Sequence, residues 1–115
     1  MPRDWYERSD CPRFPAAQGM KRLKGRWKTP ILTILSRGPT RFADLRGTLG
    51  EVSDKMLAQQ LQALVADGLV SRHELVSAAP KVVEYRLTAL GEAAGPVIAA
   101  LSDFAAALRE AAGAR

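Results

Sequence analysis

Apolar residues recur along the chain at two periods, and the change of period marks out its elements. Phe42, Leu45 and Leu49 return every three or four residues, so one face of a helix is buried there. Thr40 is expected to cap that helix. Met56, Leu57, Leu61, Leu64 and Val65 share one side of a longer helix, which Ser53 caps and Gly68 ends. Gly50-Glu51-Val52 forms the turn between the two helices. The other side of the longer helix carries Lys55, Ala58, Gln59, Gln62 and Ala66, a face that is polar but not acidic. The period then falls to two. Leu69–Val76 and Val82–Leu87 read as strands around a tip at Ser77–Lys81. In the second strand Val83, Tyr85 and Leu87 alternate with Val82, Glu84 and Arg86, which turns the odd positions to the core.

The flanks are simpler. Met1 to about Pro15 holds three prolines, Trp5 and Tyr6 and keeps no period, so it reads as an arm. A short helix is expected from about Ala16 to Leu23, weakened by Gly19 and ended by Lys24-Gly25. A second helix is expected to start with Thr29 as cap and Pro30 at its first position, and to stop at Gly38-Pro39. Ile31, Leu32, Ile34 and Leu35 supply its apolar face. Thr88 opens a final helix in which Leu90, Ala94, Val97, Ile98, Leu101, Phe104, Ala105 and Leu108 form a long apolar stripe, kinked or divided at Pro96. The expected fold class is α+β, mainly α: a helix-turn-helix followed by a β-wing, with terminal dimerisation helices. Residues 1–15 form the arm bearing Cys11. Residues 16–115 form the domain, whose dimerisation helix runs from about 88 to 113.

The last stripe is longer than a domain of this size can cover with its remaining elements. A second copy of the chain is the economical cover, with Val97, Ile98, Leu101, Phe104 and Leu108 as the dimerisation residues. The alternative is that the stripe folds back on the first two helices.

Charge narrows the partner. Seventeen Lys and Arg against twelve Asp and Glu give a net charge of +5, and Lys21–Lys28 places five cations in eight residues. A small basic domain suits a polyanion, because neutralising phosphates releases condensed counterions. Cys11 is the only cysteine and His73 the only histidine, which rules out a structural zinc site or an intrachain disulfide. Neither a nucleophile elbow nor a Gly-rich phosphate loop is present, so no enzyme site, metal or cofactor is expected. The short apolar runs hold no membrane span, and the N-terminus has no apolar core region of a secretory signal, so a cytoplasmic, nucleoid-associated location is expected.

Several blocks in the correct order carry a family resemblance. They are Cys11-Pro12, GRWKTPIL (Gly25–Leu32), RFADLRGTL (Arg41–Leu49), SDKMLAQQLQALVADGLVSR (Ser53–Arg72) and VEYRLTALG (Val83–Gly91). The chain resembles the HxlR-type winged helix-turn-helix regulators, which are related to the MarR-type proteins. The resemblance implies a homodimeric transcription factor, here read as a repressor, with Ser53–Asp67 as the helix entering the major groove of double-stranded DNA. It also implies that Cys11 senses oxidants or electrophiles. Three departures stand out: a longer gap between Cys11 and Trp27, Ala58 where many members carry Thr, and a wing (AAPKVVEY) one residue longer than usual.

On that geometry Lys55, Gln59 and Gln62 are the expected base or phosphate contacts, since Gln can pair bidentately with adenine and Lys with guanine or phosphate. Ser53 is a cap first, and Lys28, Arg41, Arg72, Lys81 and Arg86 are phosphate candidates. A solvated arginine explains Arg41 about as well. Trp27 reads as core and His73 as a partly exposed strand residue. Cys11 is either an inert thiol or a sensor, whose oxidised product would be an intersubunit or mixed disulfide; Arg8 and Arg13 favour its thiolate and Asp10 opposes it. Two alternatives remain. One is a regulator gated by a small apolar ligand held between the dimer helices, in a cavity that Phe104, Ile98 and Trp27 could line. The other is a winged helix module that binds protein and not DNA.

Overall fold

The computed structural model describes residues 14–75 and 81–113. Among these residues six helices and three strands follow in the order α1 (Pro15–Leu23), α2 (Lys28–Leu35), β1 (Thr40–Arg41), α3 (Phe42–Leu49), α4 (Asp54–Ala66), β2 (Val70–Glu74), β3 (Val83–Leu87), α5 (Ala89–Ala93) and α6 (Gly95–Gly113). The strands form one antiparallel sheet ordered β1-β3-β2. Tyr85 at its centre is opposite Thr40 on one side and Arg72 on the other. The tip at 77–80 and the Cys11 arm lie outside the described residues.

The core is built from Leu23, Ile31, Leu32, Leu35, Leu45, Val52, Leu57, Leu61, Leu64, Leu69, Val70, Tyr85 and Ala94. In α4 the buried stripe is Leu57, Leu61 and Leu64. Met56 and Val65, expected beside them, are 39% and 37% exposed. At 3.6 residues per turn those two positions fall roughly 80–100° to either side of the stripe, so they are its flanks.

Two caps differ from expectation. Helix α2 begins at Lys28 with Trp27 as its N-cap and without a side-chain cap. Pro30 still sits in the first turn, where backbone N–H groups have no partner within the helix, so the helix can start two residues before it. Thr29 takes no capping role; its carbonyl accepts the Thr33 hydroxyl. Thr40 does not cap α3 either. It is drawn into the sheet opposite Tyr85, its hydroxyl donates to the Gly38 carbonyl, and Arg41 takes the N-cap position.

Other signals act as read. The Ser53 hydroxyl accepts from the Met56 N–H at 3.0 Å. Gly50, at φ +75°, ends α3 in a conformation that favours glycine. Thr88 serves two elements: its hydroxyl accepts from the Gly91 N–H at 3.0 Å and donates to the Gly68 carbonyl at 2.6 Å. That oxygen ties the start of α5 to the end of α4. The last apolar segment divides at Ala94, giving α5 and α6, with Pro96 in the first turn of α6. No residue of α6 is buried. Ile98 and Leu101 are half-covered, while Val97, Phe104 and Leu108 are 43%, 60% and 55% exposed.

Candidate nucleic-acid interface

Helix α4 is presented by its buried stripe and its cap. Leu57, Leu61 and Leu64 turn inward, which leaves Lys55, Gln59 and Gln62 outward. All three are exposed and form no side-chain hydrogen bond or ion pair with another described residue. Ser53 fixes the first turn. Asp54 pairs with Arg46 of α3, and Glu51 in the turn pairs with Arg26 from the α1–α2 connection. These pairs are exposed and add little stability, but they join the elements around the turn. Arg26 also stacks 4.6 Å from the Trp27 ring centroid, and Trp27 is half-buried against the core. Lys28 follows at the first position of α2 and is partly covered.

The wing adds cations along one flank of α4. Arg72 of β2 lines a hollow of about 280 Å³ together with Ala58, Gln62, Val65 and Tyr85. It also lines a second hollow of about 520 Å³ with Arg41, Phe42, Ala43, Lys81, Val82, Val83 and Tyr85. Arg72 therefore stands at the seam between α4 and the wing, and Arg41 and Lys81 line the second hollow with it. A hydrogen bond with the Tyr85 hydroxyl, and next the Glu74 carboxylate, raise the Arg72 guanidinium above the ordinary arginine value, so it keeps its charge throughout the range in which proteins work.

The structure thus brings Arg72 to Gln62 in one hollow and to Arg41 and Lys81 in the other, while Lys55 and Gln59 lie on the outer face of the same helix as Gln62. Arg86 stands apart. It projects from the other face of β3 and lines a cavity of about 690 Å³ between α2, β3, α5 and α6. Two residues missed by sequence reasoning matter here: Tyr85, read only as core, and Glu74. Strand alternation could have found both, since Arg72 and Glu74 are two apart on β2 and Tyr85 is directly opposite Arg72. His73 lies on the opposite face, with its Nε2 2.8 Å from the Ser71 hydroxyl. Among the described residues no helix is long and apolar enough to cross a membrane.

Comparison with known proteins agrees with this geometry. The model of the HxlR-like helix-turn-helix family matches residues 22–112. An uncharacterised HTH-type transcriptional regulator of Escherichia coli, YtfH, is 46% identical over 90 residues, which is 78% of this chain and 71% of that protein. The redox regulator HypR in its reduced form superposes with a TM-score of 0.80 at 27% identity, covering 88% of this chain and 99% of that one. The reduced form of the transcriptional regulator YodB from Bacillus subtilis has a TM-score of 0.71 at 31% identity, covering 84% and 92%. YodB is also known in a diamide-treated form.

Proposed function

Because the chain belongs to the HxlR-like helix-turn-helix family of transcriptional regulators, we propose that it is a homodimeric repressor that binds a pseudo-palindromic operator. The observation that carries this reading is the free polar face of α4, with Lys55, Gln59 and Gln62 outward and Arg41, Arg72 and Lys81 clustered along one flank. Ser53 and the amides of the first turn of α4 face the same DNA, and Lys28 is the phosphate contact from α2. Two α4 helices related by a two-fold axis read half-sites about one or more turns of ~10 bp apart. The exposed stripe of Val97, Phe104 and Leu108, with Ile98 and Leu101 at its edge, is the surface that joins the copies. The direct test is an electrophoretic shift against the gene's own upstream region with random-sequence competitor. Retardation that the competitor abolishes as well as the operator does would remove the regulator reading and favour a protein-interaction module.

HypR is described as a redox regulator, and that likeness supports an oxidant as effector and Cys11 as the responding thiol. Diamide treatment followed by a non-reducing gel, with DNA binding measured alongside, tests it; binding unchanged on thiol modification ends the sensor role. The cavity between α2 and α6 supports a second reading, a regulator gated by a small molecule. Ile98, one of the residues expected to line a ligand cavity, is in it.

A further inference from the structure

All three wing cations singled out by the sequence are held by glutamates of the same wing. Glu74 Oε1 lies 3.3 Å from Arg72 Nη1 and 3.9 Å from Lys81 Nζ. Arg86 Nε donates to Glu84 Oε1 at 2.9 Å. The two glutamates differ in what they face. Arg72 and Glu74 project from the side of β2 that meets α3 and α4, where Arg72 lines one hollow beside α4 and another beside the start of α3. Glu84 and Arg86 project from the opposite side, and Arg86 opens on the α2–α6 cavity. Glu74 is 41% exposed, so its carboxylate meets whatever approaches Arg72 and Lys81.

A phosphate entering that seam competes with Glu74 for the Arg72 Nη1 donor and for the Lys81 charge, and it meets a like charge within a Debye length of about 8 Å. With Glu74 ionised, the trio offers one net positive charge instead of two. Attachment to DNA of arbitrary sequence rests almost wholly on such charges. Resting on the reading of this face as DNA-binding, we propose that Glu74 is a built-in competitor for DNA phosphate: it occupies Arg72 and Lys81 and sets how strongly the wing holds the DNA backbone.

The test measures fluorescence anisotropy of a labelled random-sequence duplex over a salt series, using the full chain. Glu74→Gln should tighten binding by roughly three- to tenfold at low salt and steepen the slope of log K against log salt by about one. Glu74→Ala should do the same, and circular dichroism checks that both variants keep the wild-type fold. Glu84→Gln makes the same change of net charge on the opposite face and should shift affinity less than about twofold. In an Arg72→Ala/Lys81→Ala background, adding Glu74→Gln should give no gain. Equal effects of Glu74→Gln and Glu84→Gln would overturn the proposal, because overall charge would then suffice. Weaker binding by Glu74→Gln would also overturn it, since Glu74 would then be ordering the cations for DNA. If the wild-type chain binds but Glu74→Gln changes nothing, the competitor fails alone. If the wild-type chain binds no duplex at low salt, the DNA-binding reading fails and takes the competitor with it.

Discussion

Replacing Phe104 with alanine removes the most exposed large apolar side chain of α6. Phe104 is 60% exposed, and a phenylalanine buries about 150–250 Å² when fully covered, so about 90–150 Å² of apolar surface is open to water in one copy. At ~25 cal/mol per Å² its burial contributes about 2–4 kcal/mol. A two-fold interface uses the residue twice, so the variant should weaken the dimer by about 4–8 kcal/mol, a thousandfold or more in Kd. This is an upper value, because an interface covers only part of the exposed area. Sedimentation equilibrium across the micromolar range reads the change directly. Wild type should be dimeric there and Phe104→Ala monomeric. Since Phe104 is outside the core, the far-UV spectrum of the variant should remain that of a folded helical protein. A dimer of unchanged Kd would refute the assignment of this stripe to the interface. Unfolding of the variant would instead mean that the stripe closes the core of its own chain.

The remaining expectations concern the reading helix and its support. Gln59→Ala should relax sequence preference, while Lys55→Ala should weaken binding to every sequence; equal loss by both variants on specific and random duplexes would end that division. Ser53→Ala should cost about 1 kcal/mol in urea unfolding through loss of the cap. Ser53→Asp should restore stability while lowering DNA affinity, because aspartate caps but repels phosphate; affinity at the wild-type level would take this helix start away from the backbone. Gly91→Ala places a Cβ 2.1 Å from the Leu69 carbonyl oxygen and 3.1 Å from Leu87 Cδ2, and should destabilise the fold by about 3 kcal/mol or more. A urea midpoint equal to wild type would show that α5 can shift away from Leu69 at little cost.

The helices were legible because their apolar periods are regular and their ends carry glycine, proline or a hydroxyl cap. Ser53, Gly50, Gly68 and Thr88 act locally, and local chemistry is what a sequence exposes. Thr40 was misread for the complementary reason. A cap and a strand edge look alike at one position, and what decides is Tyr85, forty-five residues away, which pairs with it. Met56 and Val65 were placed in the core because a wheel gives direction and not the width of the groove that receives it. At the site, the outer face of α4 followed from periodicity, whereas the grouping of Arg41 with Arg72 and Lys81 comes from the hollow they line together, which no local pattern announces. The sheet register separates Arg86 from Arg72, although the two look equivalent along the chain.

Helix α6 has nineteen residues and buries none of them in its own domain. Helices in proteins owe most of their stability to packing of an apolar face, so the surface that covers Val97, Phe104 and Leu108 also supports the helix itself. Its root is rigid. The break at Ala94 follows Gly91 by three residues, and Gly91 is pressed against the Leu69 carbonyl just beyond the end of α4. The Thr88 hydroxyl bonded to the Gly68 carbonyl fastens the same junction. In the proposed dimer, a change in how two copies meet along α6 would therefore pass through α5 to the α4–β2 corner as a displacement of the whole reader. It would alter the distance and angle between two α4 helices without touching Lys55, Gln59 or Gln62. On that proposal, an effector acting at the arm or at α6 would abolish binding to a two-half-site operator while each copy keeps its affinity for a single half-site, and gel shifts on full and half operators would check it.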